Sequence, residues 1–209
     1  MKWSIILDFD GTITKFDIGD FLLLKFGLAS KDEIENSYNF GMRVEEWMRI
    51  YFSRMRNIGF DKIKEVLRNE VILRDGFKEM VELIREKGFV VEVVSGGVDL
   101  YIEEIFRMND ISINGFYGRF NGGDIRYDFL GGGMTLSEFK KFRVVHYKNL
   151  GYKTIFCGDS PNDYEASRES DICFATLRLK DILKKEGYSF NELNDFYSVI
   201  RIIDASNTD

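Results

Sequence analysis

Several things that define whole classes of protein are scarce or missing in this chain. Its 209 residues include two cysteines and one histidine, too few for a disulfide framework. Cys157 and Cys173 each lie inside an apolar run, Thr154 to Cys157 and Ile172 to Ala175. They read as reduced core thiols on neighbouring strands rather than as a disulfide or a metal pair. His146, the lone histidine, falls on an amphipathic helical pattern and reads as structural or solvated rather than catalytic. There is no block of basic residues and the net charge is -6, which argues against nucleic acid and anionic membranes as partners. No apolar stretch approaches the length of a membrane span. The first apolar run is cut short by Asp8, so it is not the core of a signal peptide, and a cytoplasmic location is expected. Internal repeats and low-complexity tracts are also missing, and nothing bears on oligomeric state.

What remains is ordinary for a soluble globular protein, with 44% hydrophobic and 31% charged residues. The 19 phenylalanines are an excess that implies a well-filled core or an aromatic pocket. The length fits one core domain with a modest insertion. Apolar runs bounded by turn signals recur at Ile5–Leu7, Phe89–Val94, Thr154–Cys157 and Ile172–Ala175. The second is nearly continuous and rich in β-branched residues, as a strand covered on both faces should be. Helical spacing separates these runs: Phe77, Met80, Val81, Ile84; then Tyr101, Ile102, Ile105, Phe106; then Phe139, Phe142, Val145, Tyr147. Strands alternating with helices predict an α/β fold, a doubly wound Rossmann-like parallel sheet.

Residues 15–73 break that alternation with helical patterns only, and predict an all-helical insertion directly after the first strand. The core would then comprise residues 1–14 and 74–209. Within the insertion, Val44, Trp47, Met48, Tyr51, Phe52 and Met55 form a stripe read as a packing face rather than a substrate pocket. Phe16, Phe40, Trp47 and Tyr51 are the aromatic residues from which a pocket lining would come, though most are expected in the insertion's own core. Tyr117 to Phe129 reads as a hairpin turning at Asn121-Gly122-Gly123-Asp124. The run Gly131-Gly132-Gly133 reads as a loop without chemistry.

The chemistry gathers where strands end. Asp8-Phe9-Asp10-Gly11-Thr12 follows the run Trp3 to Leu7, at the carboxyl end of a strand, where open α/β sheets bind ligands. Residues two apart on a strand share a face, and two carboxylates about 4 Å apart repel by about 4 kcal/mol at an effective dielectric near 20. A cation, a shared proton or a reaction that uses the pair must offset that repulsion. Ser95-Gly96-Gly97 follows the second strand, at the expected start of a helix, where it is either an N-cap or a phosphate cradle. Gly158-Asp159-Ser160-Pro161-Asn162-Asp163 follows the third, with two aspartates one helical turn apart. Near Asp8 and Asp10 they would complete an all-oxygen site suited to Mg²⁺. Of the adjacent Lys140 and Lys141, one can face such a site.

In this order, DFDGT, SGG, lysine and GDSPND, the sequence resembles the haloacid dehalogenase superfamily over nearly its whole length. The helical insertion resembles the cap of the subgroup that includes phosphoserine phosphatases. Asp17 falls where those enzymes carry an acidic substrate-contacting residue, while Arg43 and Arg49 are only near candidates for their carboxylate-binding arginine. ILRDGFKEMVELI, VVSGGVDLYI, GDSPNDYEASRESDICFA and NDFYSVI are more closely similar to methionine-salvage phosphatases, which act on a hydroxy-keto-methylthiopentenyl phosphate. That comparison selects Lys141, in KFRVV. The chain departs from some salvage enzymes just before this lysine, with GGG and a short acidic stretch where they are cysteine-rich.

The resemblance implies a Mg²⁺-dependent phosphatase acting on a small phosphorylated metabolite. Asp8 would be the nucleophile and form an aspartyl-phosphate, with Asp10 the general acid and base. Ser95, Gly96 and Gly97 would hold the phosphate, Lys141 would offset its charge, and Asp17 would touch the substrate. Asp8, Asp159 and the backbone carbonyl of Asp10 would hold the metal, with Asp163 either a further ligand or a support behind the ligands. Asp10 argues for ester hydrolysis over the ATPase and dehalogenase branches, but a phosphomutase shares it. A response-regulator receiver would need neither Asp10 nor a cap and would be much shorter. A sensor that only binds a phosphometabolite would need no nucleophile.

Overall fold

The computed structural model describes residues 2–39 and 41–205. At its centre is β1 (Trp3–Leu7), every residue of which is buried. That double-sided burial is why the segment reads as a continuous apolar run instead of an alternating one. β1 pairs in parallel with β2 (Val90–Val98) on one side and β5 (Lys153–Gly158) on the other. β3 (Asn114–Asn121) extends the sheet beyond β2, and β6 (Ile172–Ala175) and β7 (Asn191–Glu192) extend it beyond β5, all in parallel. The short β4 (Asp124–Arg126) closes one edge as the antiparallel partner of β3. The sheet order is β4-β3-β2-β1-β5-β6-β7. Gly122 (φ 55°) and Gly123 (φ 98°) form the tip of the β3–β4 hairpin at the expected position. Both φ values are positive, which a two-residue hairpin turn needs and glycine supplies without strain.

Alternate residues of the central strands divide between two cores. Ile5, Leu7, Ile155 and Cys157 join α5 (Phe77–Glu86), α6 (Asp99–Met108) and α10 (Tyr197–Ala205) on one face. Ile6, Val94 and Phe156 join α7 (Leu136–Asn149) and α8 (Tyr164–Glu169) on the other. The sheet is therefore doubly wound, as the pattern predicts. α9 (Leu177–Glu186) packs Leu179 and Leu183 against Cys173 and Ala175 near the sheet edge. The cysteines are free, buried and on adjacent strands, with Cys157 opposite Phe174 and Cys173 opposite Phe156.

One boundary differs from the expectation. β2 does not end at Val94 but runs on through Ser95, Gly96 and Gly97 to Val98, with a register shift against β3. Val98, not Ser95, caps α6. The glycines let neighbouring groups close over this strand end. A Cβ on Gly96 would lie 2.6 Å from a methyl of Val44.

Between β1 and α5 the described chain is helical, comprising α1 (Ile18–Lys25), α2 (Lys31–Asn39), α3 (Val44–Ile50), a 3-10 turn (Phe52–Asn57) and α4 (Phe60–Glu70). It leaves and rejoins the sheet through a neck. Thr14 and Leu73 form an antiparallel bridge, flanked by Lys15 N donating to Ile72 O (3.1 Å) and Arg74 N donating to Ile13 O (2.8 Å). The Arg74 side chain holds the neck to the loop after β1, donating to Thr12 O (2.8 Å), Gly11 O (2.7 Å) and Leu193 O (3.2 Å). Arg74→Met leaves those three carbonyls without their charged donor. It should lower stability by about 2–4 kcal/mol in urea denaturation, and a loss below about 0.5 kcal/mol would mean that the loop holds itself.

Candidate active site

The site grows from the end of β1. Asp8 N donates to Cys157 O at 3.0 Å, continuing the β1–β5 ladder by one residue and fixing the Asp8 backbone at the carboxyl edge of the sheet. The chain then turns at Gly11 (φ 72°), where a Cβ would collide with the Asp159 carboxylate. Asp10 is tied on both oxygens, Oδ1 accepting from Ile18 N (3.0 Å) and Oδ2 from the Tyr101 hydroxyl (2.7 Å). It thus joins the first helix of the insertion to α6. Gly97 is small for the same reason, since a Cβ there would meet Asp10 Oδ2 at 2.7 Å and strike the Tyr101 hydroxyl. Tyr101 lies on the apolar face of α6, and its buried hydroxyl needs a partner. A tyrosine, with its polar hydroxyl, within an otherwise fully apolar stripe was the sequence signal for this contact.

The lysine in the site is Lys140, and the expectation of Lys141 is corrected. Lys140 is fully buried and donates to Asp8 Oδ1 (2.7 Å), Asn162 Oδ1 (2.6 Å) and Asp163 Oδ1 (2.5 Å). Lys141 points away and pairs at the surface with Glu165 at 3.2 Å. Helix phase decides between them. Leu136, Lys140 and Val144 are four residues apart on α7 and all are buried, so Lys140 shares the inward face and Lys141 does not. The Thr135–Glu138 capping box fixes the start of the helix and with it this phase.

Asp163 is the hub of the loop after β5. Its Oδ2 accepts from Asp159 N (3.0 Å), Ser160 N (3.0 Å) and Ser160 Oγ (3.2 Å), while Oδ1 takes Lys140. Gly158 makes room for it, because a Cβ there would touch its carboxylate carbon at 2.6 Å. Carboxylate oxygens of Asp8, Asp159 and Asp163 lie within 4.8 Å of one another. Asp8 Oδ2 and the Asp159 carboxylate have no hydrogen-bond donor among the described residues. An all-carboxylate donor set with oxygens still unengaged suits a hard divalent cation. Asp8 and Asp159 are the available ligands, and Asp163, satisfied on both oxygens, orders the loop around them. The Asp10 carboxylate points instead to Ile18 and Tyr101.

So many carboxylates in little water cannot all ionise freely. Burial pushes Asp8 up to about 7, with Lys140 opposing it. Asp10 is pushed up to about 8, by burial first and then by Asp17. Asp159 is raised by burial, then by Asp8 and Asp163, and Asp17 by burial, then by Asp20. Burial works against the charge of Lys140, but Asp163 and Asp8 outweigh it and hold the ammonium charged.

These groups open into a cavity of about 330 Å³ between the sheet edge and the helical segment. Asp8, Asp10, Asp159 and Ser95-Gly96-Gly97 line its floor, and Asp17, Asp20, Tyr38, Arg43, Glu45 and Trp47 are among its walls. Gly97 N donates to Ser95 Oγ at 2.9 Å, which leaves the serine's own hydroxyl hydrogen for a ligand. Asp17 lines the cavity while capping α1, its Oδ1 accepting from Asp20 N at 2.7 Å. Arg43 reaches the cavity; Arg49 instead donates to Ile125 O at 3.3 Å. The stripe read as a packing face is divided, with Val44, Trp47 and Met48 lining the cavity and Phe52 and Met55 packed in the core. Of the four aromatics singled out, Trp47 lines the cavity and stacks on Tyr51 (3.7 Å), and Phe16 packs on Phe21. Phe40 lies outside the described residues. Asp20, Tyr38 and Glu45 were not foreseen, since acids and tyrosines on helices usually read as solvated.

Comparison with known proteins accords with this geometry. The family model described as haloacid dehalogenase-like hydrolase matches residues 5–168. The chain belongs to the haloacid dehalogenase-like hydrolases. It is 24% identical over 212 residues to a 2-hydroxy-3-keto-5-methylthiopentenyl-1-phosphate phosphatase of an Exiguobacterium species, covering 95% of this chain and 96% of that one. It is 29% identical to the bifunctional enzyme MtnB/MtnX of Bacillus licheniformis, where 98% of this chain matches 50% of that longer protein. Among solved structures it superposes on a substrate-bound phosphoserine phosphatase with a TM-score of 0.74 at 20% identity, covering 97% and 98% of the two chains. A phospho-aspartyl intermediate analogue of phosphoserine phosphatase gives 0.73 at 20% identity, covering 96% and 98%. This haloacid dehalogenase-like hydrolase shares its fold with both.

The lysine assignment has a direct test in stability. Lys140→Met leaves Asp8 and Asp163 buried without their cation and should cost about 3–5 kcal/mol. Lys141→Met, removing an exposed pair, should change stability by less than about 1 kcal/mol. Equal effects of the two substitutions in chemical denaturation would refute the assignment.

Proposed function

We propose that this protein is a Mg²⁺-dependent phosphatase that hydrolyses a small phosphomonoester through a phosphorylated Asp8. The observation that carries the reading is the arrangement at the cavity floor. Lys140 grips one oxygen of Asp8 and leaves the other without a donor, while Asp10 stands beside it with a carboxyl held near neutrality.

In the proposed first step Asp8 Oδ2 attacks phosphorus, the bond from phosphorus to the ester oxygen breaks, and that oxygen takes the proton from Asp10. A value of about 8 keeps Asp10 protonated at neutral pH, as a general acid requires. In the second step the ionised Asp10 takes a proton from water as its oxygen attacks phosphorus. The bond to Asp8 breaks, releasing inorganic phosphate and restoring both side chains. Lys140 keeps Asp8 oriented and offsets charge on it, and the Ser95 hydroxyl donates to a phosphoryl oxygen. Mg²⁺, held by Asp8 and Asp159 with the Asp10 carbonyl as a further ligand, would neutralise the like charges of phosphate and nucleophile when bound. The phospho-aspartyl analogue of the structurally similar phosphoserine phosphatase supports this route. The helical segment over the cavity would act as a cap that excludes water.

For the substrate, Met42, Val44, Trp47 and Met48 give one wall an apolar character. That wall suits a carbon or thioether tail, and supports a substrate like that named for the methylthiopentenyl-phosphate phosphatases over phosphoserine.

Phosphate release from a panel of small phosphomonoesters tests the reading. Turnover should require Mg²⁺ and vanish in Asp8→Asn, and Asp10→Asn should lower it by about 10²–10⁴-fold. Turnover that survives Asp8→Asn would rule out the phosphorylated intermediate.

The raised carboxylates make a second prediction. Asp8 and Asp10 rise from 3.8 to about 7 and about 8 in the fold, so each binds its proton more tightly folded than unfolded. In metal-free protein their stabilising contribution is therefore complete below about pH 4 and is lost as pH rises through 7 to 8. The ion binds the deprotonated groups, so the Tm increase produced by Mg²⁺ should be small at pH 5 and large at pH 8. An equal increase at both pH values would place the ion away from this cluster.

A further inference from the structure

Glu45 lies in the first turn of α3, is 6% exposed, and lines the same cavity as Asp8 and Asp10. Its side chain takes part in no hydrogen bond or ion pair among the described residues. Its carboxylate oxygens are not among the fully buried polar atoms that lack a partner, so they open to the cavity, where a bound ligand would supply the donor that the surrounding side chains do not. The usual structural explanations do not apply. A helix dipole favours an acid in the first turn, but Glu46 already supplies one there from an exposed position. The next arginine along the helix, Arg49, is turned away to Ile125 O at 3.3 Å and lies over the Tyr127 ring at 5.4 Å. Arg43 is exposed at the helix N-cap. Val44 and Met48 hold α3 against the rest of the molecule and carry no donor, and no hydrogen bond joins the Trp47 indole N–H to Glu45 among the described residues.

We infer that Glu45 is a specificity-determining residue whose carboxylate accepts a hydrogen bond from a hydroxyl or ammonium group on the organic part of the phosphate ester. This rests on the phosphatase reading of the site and extends it to substrate class. The cavity walls add Asp17 and Asp20, with Arg43 the single basic side chain among the described lining residues. A substrate that brings a second anionic group would meet this acidic lining, and one that brings a hydrogen-bond donor would satisfy it. A site built to hydrogen-bond a substrate group discriminates strongly against analogues lacking it, because its own polar group is then left unpaired.

The test uses three esters of nearly equal length, 2-hydroxyethyl, 2-aminoethyl and n-propyl phosphate, with Mg²⁺ present. For the native protein, kcat/KM for at least one donor-bearing ester should exceed that for n-propyl phosphate by about 10-fold or more. Glu45→Ala should bring both ratios to about one. Glu45→Gln separates the two donor types: a hydroxyl preference survives the neutral amide, whereas an ammonium preference falls with the charge. Binding of the same esters to Asp8→Asn protein, read from the fluorescence of Trp47 in the cavity wall, should show the same ratios in Kd. Glu45→Gln should melt no lower than the native protein, since it removes a carboxylate without a partner. A native ratio near one, ratios unchanged in both variants, or a lowered Tm in Glu45→Gln would overturn the inference. Failure to hydrolyse any of the three would instead count against the phosphatase reading, and the Kd ratios would then decide the role of Glu45.

Discussion

The buried ammonium of Lys140 is the contact on which the rest of the site depends. Two segments far apart in sequence send three acceptors to this side chain of α7: Asp8 from the end of β1, and Asn162 and Asp163 from the loop after β5. Removing a charge of this kind from water costs several kcal/mol, and only complete pairing recovers it. Lys140 meets that condition with its three donors used on three acceptors. Asp163 is in turn locked by two amides and a hydroxyl of its own loop. Because an incomplete set would leave a buried charge exposed to an apolar core, strand, loop and helix must settle together. The orientation of Asp8 is therefore set by the same contacts that close the fold.

The second half of the site comes from the helical segment, and Asp10 is where the halves meet. Its two oxygens answer to Ile18 N on α1 and Tyr101 on α6, so neither element can shift without disturbing the carboxyl beside Asp8. Arg74 fastens the neck of the segment to the carbonyls of Gly11 and Thr12, directly after Asp10. Val44 rests on Gly96, at the strand end that carries Ser95. Three contacts of different chemistry thus register the cavity walls against its floor, which matters because misplacement of about 1 Å can cost about 10²-fold in rate.

How much of this was legible depended on whether the governing signal was local. The doubly wound sheet followed from runs such as Val90–Val94 and Ile5–Leu7, since burial on both faces leaves its mark on every residue of a strand. The hairpin turn was written in Gly122 and Gly123, and the carboxylates in their positions at strand ends. Lys140 was legible too, from its spacing to Leu136 and Val144, but a comparison of motifs pointed one residue further, and on a helix one residue is a rotation of about 100°. The extension of β2 through Ser95-Gly96-Gly97 was not legible, because two glycines after a strand normally signal a turn. There they admit Val44, Tyr101 and Asp10, partners distant in sequence that no local pattern announces. Tyr38, Asp20 and Glu45 escaped for the same reason, each being meaningful only once the cavity exists.

The crowding of carboxylates has one further physical consequence. Asp8, Asp10, Asp17 and Asp159 all bind protons more tightly in the fold than in free solution, so at neutral pH the fold works against their ionisation. A protein selected for stability alone would replace such groups with apolar side chains of similar volume, which is often neutral or stabilising. Their retention around a single cavity, with oxygens of Asp8 and Asp159 still lacking donors, marks stability given up for chemistry. It also sets what restores the balance. A cation bound among these oxygens would supply the charge that the fold leaves out, so cation binding and stability are linked through the same atoms.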